Sequence, residues 1–310
     1  PKYFFTANAV IHYHWIKKDN PKMFNRIRKF VHQGKWEIVG GDWVEMDANL
    51  PNGESLIRQR LIGQRFYLRE FGKTARIAWM DDVFGFPNTL PQILAKSGCD
   101  KMFTNKFSYS DYSHRFKPSS PDYAGEERFP FLHFAWQSPD GSEVLVTWAK
   151  HKLGFIDQLQ HFEKHSRVVR TNVVNEFDYS LTWREMDERC SDELIPLIFN
   201  AYGLGDGGMG PKSIEIALQT TLEDQDYVEI GPARRFFDLL ERYRKRLPAW
   251  RDELYLEAHR GTLTSVGMIK ENNHTAEVKL QQTDFLASLQ CLRTGKSFIK
   301  QRNAAWKKAL

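Results

Sequence analysis

The stretch RIAWMDDVFGFPNTLPQ (residues 76–92) places two adjacent carboxylates, Asp81 and Asp82, directly after an apolar run. The run is typical of a β-strand, and a loop containing the turn formers Gly85 and Pro87 follows it. Acids at this position are explained by a helix N-cap or a turn. They are also explained by a catalytic carboxylate held in a pocket.

The segments around this stretch alternate between helical and strand patterns. The first half predicts a helix over 8–33 interrupted near Asn20, a strand entering a loop over 35–46, a helix over 53–72, a strand over 76–80, a helix over 89–98 and a strand over 99–109. The second half predicts a hairpin over 133–150, a helix over about 154–174, a strand before residue 203, and helices over 212–223, 274–292 and 295–310. This alternation is typical of a parallel sheet with helical crossovers.

Three predicted strands end in loops that carry acids beside glycines: GGDWVEMD (40–47), DDVFGF (81–86) and GLGDGGMG (203–210). Ligands bind at the carboxyl ends of parallel strands, so these loops form one candidate site. Paired carboxylates are what glycoside hydrolysis requires, although caps and turns remain an alternative. The GxGxxG spacing at 203–208 is not a dinucleotide signal, because Asp206 would repel a pyrophosphate.

Composition excludes several classes of protein. The chain has 310 residues, enough for one large domain or for a large and a small one, and a net charge of +5. The basic cluster RYRKR (242–246) is read as the solvated face of an amphipathic helix, so no nucleic-acid partner is expected. No apolar run is long enough for a membrane span. Three distant cysteines argue against a disulfide framework and favour a reducing, cytoplasmic location.

Two histidine pairs are weak metal candidates. His12 and His14 point to different sides of a helix and cannot share an ion. His161 and His165 have the spacing of two zinc ligands, but no third ligand is evident in the sequence, so a solvated helix face is the preferred interpretation.

Four segments together resemble one enzyme family: VGGDWVEMDANLPNGESLIRQRLIGQRFYLREFGK (39–73), WMDDVFGFPNTLPQILAKSGCDKMFTNKFSY (79–109), YGLGDGGMGP (202–211) and ELYLEAHRGTLTS (253–265). They closely resemble glycoside hydrolase family 38, the α-mannosidases. The branch most similar holds cytosolic and vacuolar eukaryotic, bacterial and archaeal enzymes.

The resemblance implies a fold and a domain organisation. Residues 1–250 would form an α/β catalytic domain, a (β/α)7-type barrel of mostly parallel strands without its N-terminal strand. Residues 251–310 would begin a helical domain, a three-helix bundle. The chain would then be a fragment that lacks both ends of the catalytic region.

The resemblance also implies a retaining, zinc-dependent hydrolysis of terminal α-linked mannose, with a mannoside glycan as the substrate. Asp82 matches the family's nucleophile, which is also a zinc ligand. Asp206 is the candidate for the general acid/base. The candidates for substrate binding are Phe84, Lys106, Trp43, Asp47 and Arg260.

This sequence departs from the family pattern in ways that affect the metal. The family's His-x-Asp and His-Asp zinc ligands are not in the chain, so the other ligands of Zn²⁺ are expected outside it. Met209 replaces a glycine of the family. These departures leave one alternative open, a non-catalytic carbohydrate-binding or remnant protein. Another glycosidase on a similar barrel, of the family 57 type, is a further alternative, although the strings WVEMD and GDGGMGP argue against it. Linkage specificity and homo-oligomer formation also stay open.

Overall fold

The computed structural model describes residues 3–104, 131–148, 167–173, 195, 197–202, 228–255 and 260–310. The strands are β1 (Phe5–Ala7), β2 (Trp36–Ile38), β3 (Ile77–Trp79), β4 (Lys101–Thr104), β5 (His133–Gln137), β6 (Glu143–Trp148), β7 (Arg167–Val173), β8 (Leu197–Tyr202), β9 (Val228–Ile230) and β10 (Ala249–Trp250). The helices are α1 (Val10–Asp19), α2 (Pro21–His32), α3 (Gly53–Phe71), α4 (Leu90–Lys96), α5 (Ala233–Leu240), α6 (Gly267–Thr294) and α7 (Ile299–Ala309). Short 3₁₀ turns occupy Glu241–Arg246 and Arg260–Leu263.

The strands form two sheets that are mostly parallel. One sheet has the order β2-β1-β7-β8, with β9 also paired to β7, and all of its described pairings are parallel. The other has the order β10-β5-β6-β4-β3, in which the β5–β6 hairpin is antiparallel. The predicted α/β class with a mostly parallel sheet is therefore confirmed.

Two strands differ from the sequence-based expectation. β1 precedes the first predicted helix and pairs with both β2 and β7. β7 occupies the end of the stretch over 154–174 that was predicted to be helical, and this part of the prediction was wrong. Its sequence RVVRTNV is rich in β-branched residues, which favour an extended backbone. The rest of that stretch and the helix predicted over 212–223 lie outside the described residues.

Local signals set the ends of the N-terminal helices. The interruption predicted near Asn20 is the junction of α1 and α2, where the Asn20 side chain accepts a hydrogen bond from the Met23 amide and Pro21 opens α2. Asn52 caps α3 in the same way, and Gly72 ends that helix with a φ of 70°.

The basic segment is solvated, as the sequence predicts, but it forms a 3₁₀ turn instead of continuing the amphipathic helix. The apolar face of α5 is buried through Phe236, Phe237 and Leu240, and the following turn Glu241–Arg246 has no buried residue. Among the described helices, none combines the length and the low charge that crossing a bilayer would require.

α6 and α7 form a hairpin that is anchored to α3 at one carboxylate. Asp284 of α6 accepts hydrogen bonds from Arg58 of α3 (2.9 Å), from the Trp306 indole (3.0 Å) and from Arg302. The Trp306 ring is fully buried among residues of α1 to α3. Burial opposes ionisation of Asp284, but these hydrogen bonds and the two guanidinium charges outweigh it and lower its pKa.

We predict that Asp284→Ala destabilises the protein by about 2 kcal/mol, because the half-buried Arg302 guanidinium and the Trp306 indole lose this acceptor, while Arg58 keeps only its hydrogen bond to Glu54. Urea unfolding would measure the change. Glu271→Ala, an exposed change on the same helix, should alter the free energy of unfolding by less than about 0.5 kcal/mol. Equal midpoints for the two variants would contradict the anchoring role.

His133 connects three strands inside the core. Its Nε2 lies 2.8 Å from the Leu197 carbonyl oxygen on β8, and its Nδ1 lies 2.8 Å from the Thr147 hydroxyl on β6. A carbonyl oxygen can only accept, so Nε2 carries the proton and Nδ1 accepts from Thr147. Burial lowers the pKa of His133 to about 4, while the hydrogen bond to Leu197 acts in the opposite direction.

This pKa predicts a pH dependence of stability. The unfolded chain binds the His133 proton near pH 6.5 and the folded chain only near pH 4. The stabilisation is therefore complete above pH 6.5 and falls by about 3 kcal/mol as the pH drops to 4. Unfolding curves of wild type and His133→Gln between pH 7 and 4 would test this, since Gln keeps a donor and an acceptor. Parallel profiles would disprove it.

Candidate functional site

The loop that follows β2 packs against the middle of α3. The Gly40 amide donates to the Ile77 carbonyl of β3 (2.9 Å), which joins the end of β2 to the neighbouring sheet. Gly41 has a φ of 90°, a left-handed conformation that favours glycine. A Cβ on Gly63 of α3 would lie 2.2 Å from the Gly41 carbonyl oxygen. The helix can approach the loop this closely only because residue 63 has no side chain.

The loop that follows β3 carries the two acids. Asp81 is buried at 3% exposure, whereas Asp82 is exposed. The Asp82 amide donates to Oε1 of Glu45, which lies on the loop after β2 (2.9 Å). The carboxyl ends of β2 and β3 thus present Asp82 and Glu45 side by side.

Two further contacts fix the loop after β3, one to the loop after β2 and one to the segment after β10. The Asn49 side-chain amide donates to the Phe84 carbonyl (3.2 Å). Phe86 and Leu254 exchange two backbone hydrogen bonds of 2.9 Å, which tie the far end of the loop to the segment after β10. The loop that holds Asp82 is therefore fixed at both ends.

Burial dominates the electrostatics of the site. It raises the pKa of the Glu45 carboxyl, and the charge of Asp82 acts in the same direction, whereas hydrogen bonds from the amides of Asp82 and Asp81 oppose it. Burial also raises the pKa of Asp42, against the charge and hydrogen bond of Arg60.

The residues predicted for substrate binding occupy different surroundings. Phe84 is half-buried on the Asp82 loop. Trp43 is 3% exposed, and its ring packs against His14 and Phe66 beneath the Lys307 ammonium rather than in an open cleft.

The other predicted residues are less informative. Oδ1 of Asp47 accepts from the amides of Asn49 and Leu50 and so closes a turn. Arg260 begins a 3₁₀ turn. Asp206 and Lys106 lie outside the described residues, as do His161 and His165.

Glu45 is the site residue that the sequence-based analysis missed. It lies within the motif WVEMD, but an acid on a loop has no periodicity that marks it. Its contact with Asp82 joins residues 37 positions apart, so only the pairing of the strand ends brings them together.

The described residues alone do not fit a zinc ion. Within the part of the chain that the structure describes, no three His, Cys, Asp or Glu side chains come close enough to hold a metal. His14 packs against Trp43, and its pKa is lowered by burial and by four nearby cations, the first of which is Lys307. Asp82 is thus the one predicted zinc ligand that these residues supply.

A groove of about 600 Å³ lies elsewhere, between α3 and α4. Its lining includes Ile57, Leu61, Leu68 and Ile93, and neither Asp82 nor Glu45. The groove is therefore distinct from the pair of acids at the strand ends.

Comparison with known proteins identifies the family. The family model described as the glycosyl hydrolases family 38 N-terminal domain matches residues 1–253. The chain belongs to glycoside hydrolase family 38. The resemblance found in the sequence is thereby confirmed.

Its relatives include several α-mannosidases. Alpha-mannosidase G of Dictyostelium discoideum is 34% identical over 291 residues, which cover 93% of this chain and 24% of that protein. Alpha-mannosidase 2C1 of Homo sapiens is 31% identical over 297 residues, 95% of this chain and 25% of that protein. The chain therefore spans about a quarter of the length of these family 38 relatives.

Solved structures agree on the fold. An α-mannosidase from Enterococcus faecalis V583 aligns with a TM-score of 0.65 at 17% identity, covering all of this chain and 33% of the other. At this identity the match supports the family 38 fold and not the function.

The close approach of α3 to the loop after β2 can be tested. We predict that Gly63→Ala costs about 2 kcal/mol of stability, because its Cβ would collide with the Gly41 carbonyl. Gly53→Ala in the same helix is the matched control, since its Cβ meets nothing within 4 Å and should not destabilise. Thermal unfolding of both variants would compare them, and equal stabilities would contradict the packing argument.

Proposed function

We propose that this chain carries the catalytic site of a retaining α-mannosidase that hydrolyses terminal α-linked mannose. The supporting observation is the exposed Asp82 carboxylate at the end of β3, on a backbone held by Glu45. Membership of family 38 and the α-mannosidase activity for which the relatives are named point to the same reaction.

The proposed reaction has two displacement steps. A carboxylate oxygen of Asp82 attacks the anomeric carbon, the bond to the leaving oxygen breaks, and a general acid protonates that oxygen. Water then attacks the same carbon, gives its proton to the same residue acting as a base, and releases Asp82. Asp206 is our candidate for this acid/base residue, on the resemblance of its loop to the family's motif. Phe84, half-buried beside Asp82, would form part of the sugar-binding wall, and Lys106, Asp47 and Arg260 remain proposed contacts. The ring of Trp43 is buried against His14 and Phe66, so a direct contact with the sugar is not proposed for it.

Zinc dependence rests on family membership alone. A bound Zn²⁺ would polarise hydroxyl groups of the sugar and orient the ring. Asp82 is the ligand that this chain would contribute, and the remaining ligands would come from outside it. The steps given above use no metal.

We also propose that the two sheets belong to one (β/α)7-type barrel over residues 1–250. Two hydrogen bonds between the sheets support the closure of a barrel. The Gly40 amide of one sheet donates to the Ile77 carbonyl of the other, and His133 of β5 donates to the Leu197 carbonyl of β8. Val39, Trp79, Phe103 and Phe199, among others, share one apolar cluster between the sheets.

Residues 251–310 would be the beginning of the helical middle domain. The family match ends at residue 253, close to this boundary. A mannoside glycan is the proposed substrate. A cytoplasmic location is proposed from cysteine usage, with Cys99 and Cys291 as free thiols in the described residues.

The nucleophile assignment is tested by two substitutions in the full-length protein. We predict that Asp82→Asn lowers turnover of an aryl α-mannoside at least about a thousand-fold with the fold unchanged, because the amide cannot form the glycosyl ester. Asp82→Ala with added azide should yield the β-mannosyl azide, since azide attacks from the vacated face. Metal content is measured on each protein, because Asp82 is also the predicted zinc ligand.

Normal turnover by Asp82→Asn would overturn the assignment. An α-configured azide product would overturn the retaining mechanism instead. Asp140→Asn is the control, because this acid lies in the β5–β6 turn and binds Lys96.

A further inference from the structure

We propose that Glu45 is a positioning residue for Asp82. Its side chain accepts the hydrogen bond of the Asp82 main-chain amide and thereby sets the direction in which the Asp82 carboxylate projects. The inference rests on the proposed function, because it assigns Glu45 a role in the reaction of Asp82.

The geometry favours a role in orientation. The hydrogen bond is 2.9 Å long and joins a side chain of the β2 loop to the backbone of the β3 loop. The amide belongs to the reactive residue itself, so a shift of Glu45 moves the Cα of Asp82 and everything attached to it. A misplacement of about 1 Å can cost a hundred-fold in rate.

The three residues that precede Glu45 are held by α3. The Val44 amide donates to Oε1 of Gln59 (2.9 Å), and the Trp43 amide donates to the Gln59 carbonyl (3.1 Å). One residue further along α3, the buried Arg60 binds Asp42. A continuous set of short contacts therefore runs from α3 through the loop after β2 to Asp82.

The alternative is that Glu45 only stabilises the loop. A stabilising role would lower the melting temperature of a variant without a specific effect on turnover. If Glu45 positions Asp82, a variant that loses the hydrogen bond should have a lower kcat and a nearly unchanged KM. The effect should then depend on the length of the side chain and not on its charge. Two substitutions separate reach from charge. Glu45→Asp keeps the charge but is one methylene too short, whereas Glu45→Gln keeps the reach and an acceptor oxygen but has no charge.

The experiment measures kcat, KM and melting temperature for both variants in the full-length protein with an aryl α-mannoside. We expect kcat of Glu45→Asp to fall about a hundred-fold with KM within about three-fold of wild type, and Glu45→Gln to retain kcat within about five-fold. Glu271→Ala, an exposed acid on α6, is the control for loss of an acid and should match wild type.

Three results would overturn the inference. Retained kcat in Glu45→Asp together with loss in Glu45→Gln would show that charge matters and reach does not. Equal kcat in all proteins would show that Glu45 has no role in turnover. Losses that follow the melting temperature in both variants would show a purely structural role. If the wild-type protein does not hydrolyse α-mannosides, the proposed function is wrong, and this inference fails with it. If the wild-type protein is active and one of the three results above is obtained, only the role of Glu45 is wrong.

Discussion

The buried guanidinium of Arg60 is the constraint on which the site depends. Arg60 is 1% exposed and donates to the Asp42 carboxylate (2.9 Å), the Gly40 carbonyl (2.5 Å), Ser97 Oγ (2.9 Å) and Cys99 Sγ (2.6 Å). A buried charge is tolerated only when its hydrogen-bonding groups have partners. These partners come from the loop after β2 and from the segment before β4, so the burial of Arg60 holds both segments against α3.

This constraint reaches the chemistry through backbone positions. Because Asp42 is fixed, the position of the next three residues along α3 is fixed as well. Gln59 of α3 accepts hydrogen bonds from two of their amides. This arrangement brings the Glu45 side chain to the loop after β3, where it accepts the hydrogen bond of the Asp82 amide. The neighbouring acids then divide their roles: Asp81 faces the interior, while Asp82 faces solvent, where a substrate can reach it. The chain turns at these two residues rather than continuing the strand, and adjacent side chains in a turn can project in different directions.

Much of the fold was predictable because its signals are local. The helix interruption at Asn20, the cap at Asn52 and the end of α3 at Gly72 each depend on a few neighbouring residues. β1 was not predicted because a strand of three residues is too short to show the alternation of apolar and polar residues. The helix predicted to end near residue 174 includes the strand β7, whose partners β1, β8 and β9 are far away in the chain. A strand that pairs on both edges is stabilised by contacts that no sequence window contains.

The sequence by itself determined the family, the α/β class and the place of Asp82 at the end of a strand, because motifs and periodicity are properties of consecutive residues. Only the tertiary structure decided which side chains surround that acid. It placed Glu45 against the Asp82 backbone, buried Trp43 under Lys307 and used Asp47 to close a turn. These outcomes depend on how neighbouring strand ends meet and on how closely α3 approaches them. The physical reason is that contacts between distant segments are set by packing and by the need to pair buried polar groups.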